Sequence, residues 1–433
     1  MMNITEFKNR RDNLLKKMDD NSIAIIPAGV ELTRSRDTEF PFRQDSDFLY
    51  LTGFLEPEAV LVLSPSAQNQ STLFCRNKDK IAEIWCGRRI GPQRAQSEFL
   101  FDQTFALSDL KDNLLTLVSG HATLYYGQGT YAEFDEKIWQ LLNTLRGGPK
   151  KGYKAPTVIK DVRNLVHEMR LFKSQNEVEL MRKAAVISTQ AHIRAMKYSK
   201  AGAFEFQLEA ELHHHYAMSG ARYPAYGTIV GSGDNANILH YTENSDILAD
   251  GDLVLIDSGC ELEGYAADIT RTFPVNGKFT TPQKQLYQLV LDAQIAAMSF
   301  YKPGSTLKQA SVAATKVLTQ GMIDLGLLEG DLNELISNEA YKAFYMHGLG
   351  HWLGLDVHDV GEYKQDEKER VFEPDMVLTV EPGIYVAADS KAPEQFKGIG
   401  IRIEDNILIT ADGHENLTQS LPKTIDEIEG LMA

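Results

Sequence analysis

Apolar positions along the chain change their period several times, and each change marks a new element. Over residues 3–20, Ile4, Phe7, Leu14, Leu15 and Met18 recur at helical spacing. Residues 22–27 then form a short apolar run of the kind that makes a buried strand. Residues 48–53 and 59–64 read as two further strands, and 109–118 and 131–145 as helices. A stretch of Gly, Lys and Pro at 147–152 breaks the pattern and predicts a turn or the start of a linker. A helix over 161–170 follows. Ser174 and Glu177 have capping-box spacing, so a long amphipathic helix is expected from about 175 to 198. The domain boundary is placed just before it. Residues 1–173 form a smaller N-terminal α/β domain, and residues 174–433 form a second domain.

That second part carries a weak internal duplication. Lys200-Ala201-Gly202 and Lys302-Pro303-Gly304 each separate one long helix from another. Each second helix leads to a segment rich in Gly and His, 227–240 in one copy and 347–358 in the other. Each segment leads in turn to an apolar strand that ends in an acid, Asp257 or Glu381. Two copies of helix–helix–strand predict a pseudo-symmetric α+β domain with its site between the halves.

Length agrees with two domains, because 433 residues exceed what one ordinary core serves. The formal net charge of -16 excludes nonspecific nucleic-acid binding, which needs excess Lys and Arg. The first residues mix charge with apolar side chains, unlike a secretory signal, and no run is long enough to span a membrane. Cys75, Cys86 and Cys260 are odd in number and share no C-x-x-C spacing, which argues against a disulfide framework or a structural zinc site. The expected address is the cytoplasm, with no membrane partner.

Candidate chemistry concentrates in the second part. Asp257 ends an apolar strand, and Asp268 lies in a strand-like run joined to it through a turn at Glu263-Gly264. Glu381 ends the matching strand of the other half, and Arg402 and Glu404 share one face of a later strand. Any one of these acids alone is better read as a solvated strand end. Four together, with His351 nearby, demand cations, since buried unpaired carboxylates are costly. Oxygen ligands with one imidazole suit two divalent ions of the Mn, Zn, Co or Fe type. In His347-Gly348-Leu349-Gly350-His351 the two glycines disfavour the zinc helix H-E-x-x-H, and instead let the backbone pass close to a ligand or metal. His213, His214 and His215 diverge by about 100° each on a helix, so they read as a solvated face, as does His192.

The stretches 38–59, 84–89, 167–174, 220–233, 238–244, 251–273, 347–360 and 398–405 resemble the pita-bread metallopeptidases of family M24, and within them the bacterial aminopeptidase P group. The resemblance implies a pita-bread catalytic domain with Asp257, Asp268, His351, Glu381 and Glu404 as ligands of two metal ions, most often Mn. It implies His240 and His358 as substrate-holding histidines, His347, Tyr226, Val357 and Arg402 as walls of a proline pocket, and Tyr385 as a positioning group. It implies a homo-oligomer, dimer or tetramer, in which Asp37 and Trp85 contribute across an interface. Where the family uses a cross-subunit Arg, this chain offers Lys150 or Lys151, which lacks the bidentate fork. The expected reaction releases the first residue from peptides with proline second, through a hydroxide held between the metals and with Glu381 relaying the proton. Three alternatives remain open: a prolidase restricted to dipeptides, a methionine aminopeptidase, and a non-catalytic peptide-binding module.

Overall fold

The computed structural model describes residues 2–433. They divide into two compact units, one up to Arg170 and the other Leu171–Ala433.

The first unit is α/β, built on a six-stranded sheet. Its order is Gln103–Ala106, Ser71–Cys75, Val60–Leu63, Ser22–Pro27, Thr123–Tyr125, Val158–Lys160. Val60–Leu63 pairs antiparallel with both its neighbours and the other three pairings are parallel, so the sheet is mixed. Ile23, Ile25, Val60, Val62 and Phe74 pack one face against helices Leu110–Val118 and Ala132–Arg146. The run at 48–53, expected as a strand, is instead the helix Ser46–Thr52. Asp45 caps it by accepting from the Phe48 N–H, and Gly53 closes it in the left-handed region. A fully buried apolar run has no readable period, and the caps decide its state.

The second unit has the pseudo-symmetric pita-bread form. Helix Gln175–Tyr198 packs on Glu205–Met218, and Thr281–Met298 packs on Leu307–Asp324. The Ser174–Glu177 capping box starts the first of these helices. Inside each half lies an antiparallel sheet. Leu253–Asp257 pairs with Ile229–Ser232 and Thr270–Pro274, while Val377–Val380 pairs with Asp405–Ile409. No helix among the described residues is long and apolar enough to cross a membrane.

The two halves of this unit meet along Thr270–Pro274 and the 402–406 segment. The Glu404 N–H donates to Thr270 O at 3.0 Å, and Thr272 Oγ1 donates to Arg402 O at 3.1 Å. Beneath that seam Arg271 and Asp405 form an ion pair at 2.7 Å with neither side chain exposed. Lys423 adds a second cation at 2.6 Å, and together the two hold the Asp405 carboxyl far below its ordinary range against the pull of burial. Removing Arg271 leaves the buried Asp405 carboxylate to Lys423 alone and leaves the Thr270 and Glu404 carbonyls without their guanidinium donor. Arg271→Ala is therefore expected to lower folding stability by about 3–5 kcal/mol in urea titrations. A loss below about 1 kcal/mol, the range of an exposed pair, would show that the seam is not held this way.

Candidate active site

Four acids reach one cavity because each stands where a strand stops. Asp257 is the last residue of Leu253–Asp257, and Asp268 occupies the irregular step between Tyr265–Ala266 and Thr270–Pro274. Glu381 follows Val377–Val380, and Glu404 lies between Ile399–Arg402 and Asp405–Ile409. His351 arrives on the Gly-rich loop, which lies against the strand Val377–Val380. The His351 N–H donates to Thr379 Oγ1 at 3.1 Å, and the Thr379 N–H donates to His351 O at 2.9 Å. A Cβ on Gly350 would stand 2.2 Å from Thr379 O, so this glycine serves the close approach of loop to strand rather than to a ligand. Gly348 faces open space and lines the cavity.

The cavity holds about 640 Å³ and is lined by Asp257, Asp268, His351, Glu381 and Glu404. Tyr226, His240, His347, Val357, His358 and Arg402 complete the polar and apolar wall. Tyr385 stands behind that wall, where its hydroxyl accepts from Arg402 Nη1 at 2.8 Å and lies 2.7 Å from His347 Nε2. Asp37 and Trp85 belong to the first unit and are not among the lining residues. Asp37 is exposed beside a short hairpin, and Trp85 is 83% exposed on the helix Lys80–Cys86. Lys150 and Lys151 lie in an exposed 3-10 turn of that unit.

Charge in the cavity is poorly balanced. Arg402 is its one guanidinium, donating to Asp257 Oδ2 at 2.7 Å and to Thr270 Oγ1 at 3.1 Å. His351 Nε2 lies 3.3 Å from Asp268 Oδ2 and 3.5 Å from Glu381 Oε1. Burial pushes Glu381 up to about 7, with the charges of Asp268 and Asp257 adding to it. Burial and the same neighbours raise Glu404 well above its ordinary value, and burial raises Asp257 too. Asp268 goes the other way. Burial opposes its ionisation, but the hydrogen bond and charge of His351 hold it down. Burial likewise opposes protonation of His351, yet Asp268 and Glu381 lift it to about 9.

The donor set fits divalent cations. Asp268, His351 and Glu404 offer ligand atoms that all lie within 4.8 Å of one another. The Tyr226 hydroxyl lies 2.6 Å from both Asp257 Oδ1 and Asp268 Oδ1. A phenol has one hydrogen, so it satisfies one carboxylate and leaves the other facing an oxygen. Only a shared proton or a cation relieves that contact. Hard carboxylate oxygens with one imidazole are donors for ions of the Mn or Zn type.

Residues 179–411 match metallopeptidase family M24, and residues 7–125 match the aminopeptidase P N-terminal domain. The chain belongs to metallopeptidase family M24. It is 51% identical over 429 residues to the Xaa-Pro aminopeptidase of Escherichia coli K12, covering 99% of this chain and 97% of that one. Human Xaa-Pro aminopeptidase 3 is 35% identical, over 91% of this chain and 78% of its own. Among solved structures, the zinc-substituted aminopeptidase P of E. coli in complex with product superposes with a TM-score of 0.98 at 50% identity, covering 100% of this chain and 98% of that one.

Some M24 site features escaped the sequence. Thr270 donates to Glu404 Oε2 at 2.8 Å, Thr379 donates to Glu381 Oε1 at 3.3 Å, and Asn406 brackets the backbone of Asp268 on both sides. No residue pattern singles out these neutral side chains. The reading of His192 and His213 as a solvated face needs correction. His192 is fully buried against the Ser258 carbonyl, and His213 bonds Thr228 Oγ1 at 2.8 Å. Only His214 of the triplet is exposed.

A pH signature follows for the metal-free protein. Glu381 rises from an ordinary 4.5 to about 7 and His351 from 6.5 to about 9. A group raised on folding favours the folded state below its unfolded value, and that benefit is lost as pH climbs through the folded value. With chelator present, Tm is therefore expected to fall between pH 5 and 9, and the Tm gain from added Mn²⁺ to grow over the same range. A gain that shrinks with rising pH would contradict these assignments.

Proposed function

We propose that this protein is a metal-dependent aminopeptidase that releases the N-terminal residue from peptides carrying proline in second position. The observation that carries the reading is the convergence of Asp257, Asp268, His351, Glu381 and Glu404 on one cavity. Proline specificity is supported by the relatives that bear the name Xaa-Pro aminopeptidase over nearly their whole length. A non-catalytic binding module has no use for five ligand-type residues in one cavity.

In this reading the five residues hold two divalent ions, which supply a nucleophile at neutral pH and a Lewis acid for the peptide carbonyl. We assign manganese as the working metal, on the predominance of carboxylate oxygens among the donors. Hydrolysis must move a proton from water to the prolyl nitrogen. Glu381 is the carboxyl assigned to that task, because it stands in the cavity among the residues that would hold the ions and close to His351. His240 and His358 line the same cavity and would hold the substrate carbonyl. Arg402, fixed by Asp257, Thr270 and Tyr385, keeps its position without a substrate and forms with Val357 and His347 a wall for the proline ring. Proline's locked φ and missing N–H make a shaped wall a sufficient selector.

We further propose a cytoplasmic homo-oligomer in which Asp37 and Trp85 of one subunit serve a neighbour's cavity. Support comes from the exposure of Trp85, Ile84 and Ile81 on one short helix, a contiguous apolar patch of the kind interfaces cover. The three cysteines are free thiols, in keeping with a reducing compartment.

Glu381→Gln is expected to reduce turnover of an Xaa-Pro-Yaa tripeptide about 10²–10⁴-fold at saturating Mn²⁺. Full activity in that variant would exclude the proton relay. Chelation should abolish release of the first residue, identified by mass, and Mn²⁺ should restore it. Cleavage of Xaa-Pro dipeptides in strong preference to tripeptides would make the protein a prolidase instead.

A further inference from the structure

His192, Ser188 and Ala184 occupy one row of the helix Gln175–Tyr198, each four residues from the next. All three contact the chain just beyond Asp257. His192 Nε2 lies 2.9 Å from Ser258 O, Ser188 Oγ accepts from the Cys260 N–H at 3.0 Å, and Cys260 Sγ lies 3.5 Å from Ala184 O. Helix Glu205–Met218 holds the same turn from another side. Tyr216 Oη and Thr228 Oγ1 each lie 3.0 Å from Ser258 Oγ, and His213 supports Thr228.

The turn so held is where the chain segments of Asp257 and Asp268 cross. The Ser258 N–H donates to Ile269 O and the Ala267 N–H to Cys260 O, both at 3.0 Å. A Cβ on Gly259 would stand 1.8 Å from Ala267 O, so the two segments are in direct contact. Asp257 is the residue immediately before that crossover, and Asp268 lies within it, between Ala267 and Ile269. The separation of the two acids is therefore set by the position of Ser258.

The geometry points to His192 as a positioning residue for the Asp257–Asp268 pair, acting through its hydrogen bond to the Ser258 carbonyl. A carbonyl only accepts, so Nε2 carries the proton and Nδ1 is left without a partner. A fully buried imidazole with one unsatisfied nitrogen is a poor choice for packing alone. Burial pushes its pKa down to about 4, so it stays a neutral single donor at ordinary pH. The inference rests on the assignment of Asp257 and Asp268 as metal ligands.

The test is Mn²⁺ affinity of the stripped full-length protein, read by calorimetry or chelator competition and not by activity. His192→Leu keeps bulk and removes the donor, and is expected to weaken Mn²⁺ binding about 10–100-fold. His192→Gln places an amide N–H toward the same carbonyl and is expected to recover most of the loss. Native affinity in His192→Leu, or equal losses in both variants, would overturn the proposal. Should His192→Leu fail to fold, His192→Met takes its place. It fills the same space with an adaptable side chain and no donor, and native affinity there would overturn the proposal equally. Asp257→Asn separates the two claims. Retention of native Mn²⁺ binding in that variant defeats the ligand assignment itself, whereas loss there beside native affinity in His192→Leu defeats only the positioning role.

Discussion

Mutual repulsion among Asp257, Asp268, Glu381 and Glu404 is the constraint that the second unit is built around. Four carboxyls share a cavity with one guanidinium and one imidazole at the cluster, and the Asp257, Glu381 and Glu404 carboxyls are driven toward their neutral forms. Left to themselves such groups would move apart or take up protons. The fold prevents the first outcome by fixing the backbone on both sides of each acid. The second is what divalent cations displace.

How the acids are fixed explains the architecture. Each half contributes two acids at strand ends, and the halves are joined by backbone hydrogen bonds at Thr270–Glu404 and by the dry Arg271–Asp405 pair. Asp405 follows Glu404 and Arg271 stands three residues from Asp268, so the ion pair and the acid cluster are two sides of one junction. A pseudo-symmetric fold is suited to such a site, because two similar halves can bring like groups together at their seam.

Much of this was legible in the sequence, and the limits are physical. The acids are visible because four of them close or flank apolar strands with His351 nearby, although any one alone reads as a solvated strand end. The paired helices were visible from their periodicity and from the Ser174–Glu177 cap. Helix Ser46–Thr52 was misread because all its residues but Asp47 are buried, which erases the pattern that separates helix from strand. His192 was misread for a related reason: its neighbours on the helix do not reveal that a turn 66 residues later presents a carbonyl to it. The pattern placed Arg402 on the face of Glu404, but its role and that of Tyr385 came from family resemblance, and Thr270, Thr379 and Asn406 were not visible at all. Contacts made across the fold by neutral polar side chains leave no local trace.

The central claim is that the carboxylate cluster is a two-ion site and that this repulsion is resolved by metal. Anomalous diffraction from crystals of the Mn²⁺-loaded protein tests it most directly. The account predicts two anomalous peaks per chain inside the cavity, contacted by Asp257, Asp268, His351, Glu381 and Glu404. Peaks elsewhere, or none in the cavity at saturating Mn²⁺, would contradict it.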